Sequence, residues 1–184
     1  RRALFLDTET TGLSSRNGDR AFIVGLAFID EDRLVIEQIV LHDLDEEPAA
    51  LELTHRRASR FEPLVTFNGR SFDVPFLRRR YEACGLQDDA LNRSHLDLLH
   101  CSRRQFADRL DRFRLKDLEA EILGFERGFD LPGREAPLRF ESYLRSNNVV
   151  HLVDVLNHNR LDLVGLIGLI GAMTAQSRAR SDMI

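Results

Sequence analysis

Cysteine is nearly absent: Cys84 and Cys101 are the only two in 184 residues. Two thiols are too few for a metal–thiolate cluster or a stapled miniprotein, and they read as the reduced thiols of a cytosolic protein. Long hydrophobic runs are missing too. The longest apolar-rich stretch, Leu163 to Met173, has 11 residues, against roughly 20 for a bilayer-spanning helix. No N-terminal segment has the basic, apolar, small-residue order of a secretion signal. Lysine is limited to Lys116, so arginine supplies the rest of the 26 basic residues. The planar fork of arginine grips two phosphate oxygens at once; a genome rich in arginine codons gives the same bias. Neither charge is in large excess. With 30 acidic residues the formal net charge is −4, so the balance neither announces nor excludes a polyanionic partner. What is present is an ordinary globular mixture, 43% hydrophobic and 30% charged, which is enough for a core and wrong for a disordered tail. The chain opens Arg1-Arg2 without methionine, as a piece of a longer chain would.

Three apolar runs come first. Ala3–Asp7, Arg20–Asp30 and Leu34–His42 have strand character, and the short links between them predict an antiparallel meander. Glu46–Phe61 reads as a helix and Leu64–Phe67 as a fourth strand ending at Asn68-Gly69. Ser71 is the expected N-cap of a helix that runs to about Cys84 and stops at Gly85. Arg78-Arg79-Arg80 reads as the wet face of that helix. Leu96–Leu99 is a candidate fifth strand. Helical stretches follow at about Ser102–Leu110 and Leu115–Leu123, then a Gly- and Pro-rich loop from Gly128 to Pro137 and a short helix to about Leu144. A long amphipathic helix or helix pair spans Val149 to about Arg178. Gly165, Gly168 and Gly171 recur along it at every third position; each costs about 1 kcal/mol relative to alanine, so the stripe predicts a close backbone contact, read as packing against the sheet. The fold class expected is α/β: a five-stranded mixed sheet, three strands antiparallel plus two parallel, flanked by helices. Residues 1–184 read as a single domain with a helical insertion at about 100–147.

Three acidic segments carry the chemistry. Asp7 and Glu9, in Phe5-Leu-Asp7-Thr8-Glu9-Thr10-Thr11-Gly12-Leu13, stand two apart at the end of an apolar strand and so point to the same face. Paired carboxylates there are expensive without a cation, and hard divalent ions take such oxygen ligands; a solvated acidic strand end is the ordinary alternative. Asp73, in Asn68-Gly69-Arg70-Ser71-Phe72-Asp73, falls in the first turn of a helix, where it also suits the helix dipole. His158 and Asp162 stand four apart on one helical face, the spacing of a site or of a surface ion pair.

In this order the segments resemble the DEDD exonucleases, the DnaQ-like group with the ribonuclease H fold, and the resemblance spans nearly the whole chain. DTETTGL is a specific motif. His95-Leu-Asp97-Leu-Leu-His100 with Arg103-Arg104, Leu115-x2-Leu118-Glu119-x3-Leu123-Gly124, and Asp130-Leu-Pro-Gly133 look most like the YprB-like branch. The resemblance implies that Asp7, Glu9, Asp73 and Asp162 bind two divalent metal ions, magnesium or manganese. It implies 3′–5′ exonuclease action at the 3′ end of a DNA or RNA strand by a two-metal mechanism. Glu9 would also orient the terminal hydroxyl, and His158 would accept the proton of the attacking water or position that water. The common family pattern puts histidine five residues before the last aspartate and a variant puts tyrosine four before. His158 is a histidine in the tyrosine position.

Substrate contacts follow from the same likeness. Thr10 and Leu13 would hold or wedge the terminal nucleotide, with Asn68 and Phe72 lining the pocket; Leu13 as a core residue is the alternative. Arg103 and Arg104 meet phosphates or simply face solvent. His95 and Asp97 share a strand face, but no fourth ligand is spaced for zinc, and Asp97 reads as a further acid near the metals. The Gly128–Pro137 loop is a connector or a cover over a substrate strand. Two rival functions stand beside the exonuclease: a non-catalytic nucleic-acid-binding module of a larger protein, which would have lost carboxylates, and a ribonuclease H-type endonuclease. A small-molecule phosphohydrolase would want a phosphate-cradling glycine loop, and none is seen. No membrane partner is expected, and the location expected is the cytoplasm.

Overall fold

The computed structural model describes residues 2–14 and 18–181. Strands β1 (Leu4–Thr10), β2 (Ala21–Asp30), β3 (Arg33–Val40), β4 (Leu64–Thr66) and β5 (His95–Asp97) form one sheet in the order β3-β2-β1-β4-β5. β1 to β3 pair antiparallel, whereas β4 runs parallel to β1 and β5 parallel to β4. This is the mixed sheet that the sequence predicts. The helices are α1 (Glu47–Ala58), α2 (Asp73–Ala83), α3 (Leu98–Gln105), α4 (Leu115–Leu118), α5 (Ala136–Ser146) and α6 (Val150–Ser181).

Both faces of the sheet are covered, which is why β1 and β2 read as nearly continuous apolar runs. Leu4 and Leu6 pack with Leu51 of α1 and with Leu77 and Tyr81 of α2. Phe5 packs on the opposite face with Leu163, Leu166 and Leu169 of α6. The strand continues to Thr10, so Asp7 lies mid-strand rather than at a strand end. By the same alternation Asp7 and Glu9 follow Phe5 toward α6, while Thr8 follows Leu6 toward α2.

Several local expectations are corrected. Ser71 is not a cap: α2 begins at Asp73 with Phe72 in the N-cap position and no side-chain cap bond. The N–H groups of Ser71 and Phe72 donate instead to the Asn68 carbonyl, both at 3.1 Å. α3 starts at Leu98, earlier than Ser102, because Asp97 caps it by accepting from Leu99 N at 3.1 Å. Asp97 also accepts from the backbone N of Asn68 (2.8 Å) and Arg70 (3.0 Å), so this buried acid staples the β4 turn to α3. His95 Nε2 is hydrogen-bonded to Thr66 Oγ1 at 2.8 Å. The Leu115–Leu123 helix leaves α geometry at Glu119, where a π-helical turn (Glu119–Leu123) begins. The expected loop contains a 3-10 turn (Gly133–Glu135), and α5 starts at Ala136.

The glycine stripe meets that π-helical turn and not the sheet. A Cβ on Gly165 would sit 2.0 Å from Glu119 Oε1, and one on Gly168 would sit 2.8 Å from Leu123 Cδ1; Gly171 faces open space. Arg80 is not on a wet face: it is 5% exposed and donates through Nε and Nη2 to the two carboxylate oxygens of Glu47, each at 2.7 Å. Among the described residues, no helix is long and apolar enough to cross a membrane.

Candidate active site

The site grows from the middle of β1. Asp7 stands opposite Gly25 of β2, and Gly25 stands opposite Gln38 of β3. Asn159 of α6 is seated over Gly25, where a Cβ would come 2.3 Å from its Oδ1. From that seat Asn159 Nδ2 donates to Asp7 Oδ2 at 2.8 Å, and Asn159 Oδ1 accepts from Gln38 Nε2 at 2.8 Å. Glycine at position 25 is therefore what lets α6 reach the Asp7 carboxylate. On the other face Thr8 Oγ1 donates to Asp73 Oδ1 at 2.5 Å, tying the first turn of α2 to β1.

α6 also presents His158 and Asp162, with His158 Nε2 lying 3.8 Å from Asp162 Oδ2. His158 Nδ1 is hydrogen-bonded to Asp130 Oδ1 at 2.6 Å. Arg127, with its side chain only 6% exposed, donates from Nη2 to Asp162 Oδ1 at 2.6 Å. The same guanidinium forks onto Glu119 at 2.6 and 2.7 Å and reaches Asp130 at 3.2 Å.

Asp7, Glu9 and Asp73 are each pushed above the usual carboxylate range. Burial, then the charges of Asp162, Asp73 and Glu9, push Asp7 well above the usual carboxylate range. Glu9 is pushed up to about 8 by burial, then by Asp162, Asp73 and Asp130. Asp73 rises to about 6 through burial, opposed by its bond from Thr8. No lysine, arginine or histidine pairs with Asp7, Glu9 or Asp73 among the described residues. A set of hard oxygen donors whose charges resist one another suits a hard divalent cation, magnesium or manganese, in residue type. The set is gathered but not drawn around one point: among the described residues no three His, Cys, Asp or Glu side chains are close enough to hold a metal ion.

The charge strain has a measurable sign. Between its ordinary value of 4.5 and about 8, folded Glu9 keeps a proton that the unfolded chain has lost, so stability falls as pH rises through that window. In a chelator the melting temperature should drop from pH 5 to pH 8.5, and Glu9→Gln should make the drop shallower. An unchanged slope in the variant would show that Glu9 ionises freely.

A cavity of about 440 Å³ opens beside Glu9 and is lined by Thr10, Leu13, Phe72, Arg134 and Pro137. Leu13 is 84% exposed, which rules out the core reading. A second cavity of about 740 Å³ is lined by Arg127, Asp130, His158 and Asp162. Gly133 borders both, so the Gly128–Pro137 segment is a wall of the site rather than a mere connector. Asn68 is not among the residues lining the first cavity; it holds a left-handed turn, φ 60°. Arg103 and Arg104 are exposed in the last turn of α3, and Arg103 borders a separate depression with Arg112 and Phe113.

Sequence reasoning did not single out Thr8, Arg127 or Asn159, and met Glu119 and Asp130 only as motif letters. Asn159 had a faint signal, a polar residue between His158 and Asp162 on a helix with an apolar face. Arg127 had none.

A profile of the RNase_H superfamily matches residues 4–174. The sequence is 36% identical over 169 residues to Uncharacterized protein YprB of Bacillus subtilis (strain 168), covering 90% of this chain and 40% of that protein. The chain thus spans less than half the length of that relative. The fold resembles the family B DNA polymerase of the hyperthermophilic archaeon Pyrobaculum calidifontis, with TM-score 0.70 and 17% identity over 94% of this chain and 24% of that one. It also resembles E. coli exonuclease I in complex with a dT13 oligonucleotide, with TM-score 0.53 and 18% identity over 84% of this chain and 43% of that one.

Proposed function

The chain belongs to the RNase H superfamily, and from that premise we propose that residues 1–184 are one nuclease domain, a metal-dependent 3′–5′ exonuclease acting on DNA or RNA. The observation that carries the reading is the convergence of Asp7, Glu9, Asp73 and Asp162 on one neighbourhood, where each of the first three is pushed up by burial and Asp162 adds to the rise of Asp7 and Glu9. These four carboxylates would hold two magnesium or manganese ions. When bound, such ions supply Lewis acidity at the reacting phosphate and offset its charge.

The remaining work falls to the chain itself. Asn159 and Thr8 fix the rotamers of Asp7 and Asp73. Glu9 forms one wall of a cavity of the right character for a terminal nucleotide, with Leu13 and Phe72 as apolar surfaces and Thr10 beside them. Asp130 occupies His158 Nδ1 and leaves Nε2 on the Asp162 side, the orientation a base needs if it is to take a proton from an attacking water. The exonuclease likeness of the fold neighbours supports this reading over that of a binding module, as does the survival of all four acids.

The test is a cleavage panel with manganese on 3′-labelled, 5′-labelled and circular DNA and RNA oligonucleotides. The expected result is stepwise shortening from the 3′ end and no attack on circles. Cleavage of circles would instead favour an endonuclease, and metal-dependent binding without cleavage a binding module.

A further inference from the structure

We propose that the depression between the end of α3 and the start of α4 is a separate nucleic-acid subsite, which holds the strand upstream of the cleaved bond, in single-stranded form, through Arg103, Arg112 and the ring of Phe113. The inference rests on the nuclease reading above and deepens it, naming the form of the substrate and its path away from the 3′ end.

Charge is spread unevenly along the chain. Residues 103–116 hold six basic and two acidic side chains, a local charge of +4 in a chain of net charge −4, leaving −8 for the remainder. Among the described residues, Arg103, Arg104, Arg109, Arg112 and Lys116 have no carboxylate partner, whereas Arg114 is forked onto Asp117 at 2.7 and 2.8 Å. Exposed cations without partners, gathered on an otherwise acidic molecule, are the footprint a polyanion fits.

The patch is continuous with the site. The cavity beside Glu9 shares Gly133 with the cavity at His158 and Asp162. That second cavity shares Arg114 with the depression, a hollow of about 450 Å³ lined by Arg103, Asp111, Arg112, Phe113 and Arg114. A strand whose terminal nucleotide fills the first cavity would run past His158 and leave along Arg114. The middle cavity is poorly suited to grip it, because acidic side chains outnumber basic ones on its wall and repel phosphate. The grip falls to the basic hollow that adjoins it.

Two rings favour a single strand over a duplex. Phe113 packs against the core around Leu118 and Leu166 yet also lines the depression, so its ring is anchored and partly open. Phe129, 71% exposed, stands between Gly128 and Asp130, both of which line the middle cavity. An unpaired base can stack on such a ring, whereas the bases of a duplex are already stacked on one another. Hollows of about 450 and 740 Å³ also match the ~300–1,000 Å³ that holds a group the size of a nucleotide.

Binding is read in a chelator, where nothing is cut, from the fluorescence anisotropy of a 5′-labelled oligothymidylate twenty-mer, alone and paired with its complement. The wild-type chain should hold the single strand at least fivefold tighter than the duplex. Arg103→Gln combined with Arg112→Gln should weaken the single strand at least tenfold. The same variant should lower the slope of log affinity against log salt by about 1.4, at about 0.7 per lost phosphate contact. Phe113→Leu combined with Phe129→Ser should weaken the single strand at least fivefold and leave that slope unchanged. In manganese, the arginine variant should raise KM for the twenty-mer about tenfold with kcat within twofold, and should cut a dinucleotide as fast as wild type. Thermal melts check folding; Arg103 and Arg112 are exposed, so their arm decides alone if the ring variant gives no cooperative melt. An unmoved affinity in the arginine variant would overturn the subsite and assign the patch to another partner, such as an acidic protein surface. Equal affinity for strand and duplex would overturn the single-strand form. Wild-type binding without cleavage would keep the subsite and overturn the nuclease reading, and cleavage without the arginine effect would do the reverse.

Discussion

Asp7→Asn should slow nucleic-acid cleavage by about a thousandfold or more, equivalent to about 4 kcal/mol in the barrier, and should at the same time make the metal-free chain harder to unfold. The two effects come from one atom. Asp7 is pressed by its surroundings, through burial first and the charges of Asp162, Asp73 and Glu9 second. Asparagine keeps an oxygen to accept from Asn159 Nδ2, so the row Asp7–Asn159–Gln38 is preserved in shape. It removes the charge that a divalent ion would be drawn to. In a chelator at pH 8 the variant should also be more stable against urea, because the charge it removes is the one that burial and the neighbouring carboxylates disfavour. Initial rates on an end-labelled strand and urea melts of the same preparation check both halves. A variant that keeps its activity removes Asp7 from the chemistry, whereas one that loses both activity and stability marks Asp7 as a structural residue.

Glu47→Ala should lower stability by about 3–5 kcal/mol. Glu47 lies in the first turn of α1 and Arg80 in the last turn of α2, and both are at most 5% exposed. Their fork of two 2.7 Å bonds, with Arg20 Nε also 2.7 Å from Glu47 Oε2, locks the two helices that cover one face of the sheet. Alanine leaves the buried guanidinium without its bidentate acceptor, which costs more than the pair itself contributed. Replacing both partners by methionine should therefore hurt less than removing Glu47 alone. Equilibrium unfolding in urea separates the two cases, and equal losses would mean that the pair is only packing.

The sheet was legible because burial on both faces writes itself as apolar runs: β2 is AFIVGLAFID, apolar up to its final aspartate, and its span differs from expectation by one residue. Of the four acids, Asp7 and Glu9 stood out by themselves, as paired carboxylates on an apolar strand that lose hydration on burial. Asp73 and Asp162 had ordinary readings, as a helix-dipole acid and one half of a surface ion pair, and joined the set only through the order of the segments, which resembles that of the DEDD exonucleases. Helix starts were harder to read. α3 begins four residues early because Asp97 finds backbone N–H groups on the β4 turn as well as its own, a contact no local pattern contains. Single arginines were opaque. Arg78, Arg79 and Arg80 look alike in sequence, and only the position of Glu47 across the helix pair decides that Arg80 is inside. Arg127 sits in a stretch of Gly, Glu and Phe that suggests solvent, yet it meets three carboxylates from three separate segments.

The order in which these parts leave the ribosome has its own effect. Asp7 and Glu9 are made first and Asp73 soon after, but the amide that fixes Asp7 and the fourth acid both arrive on α6, after residue 158. A nascent chain holding the whole sheet would still lack a finished centre. A chain ending before α6 should therefore leave Asp7 without its amide partner and the acidic cluster without Asp162.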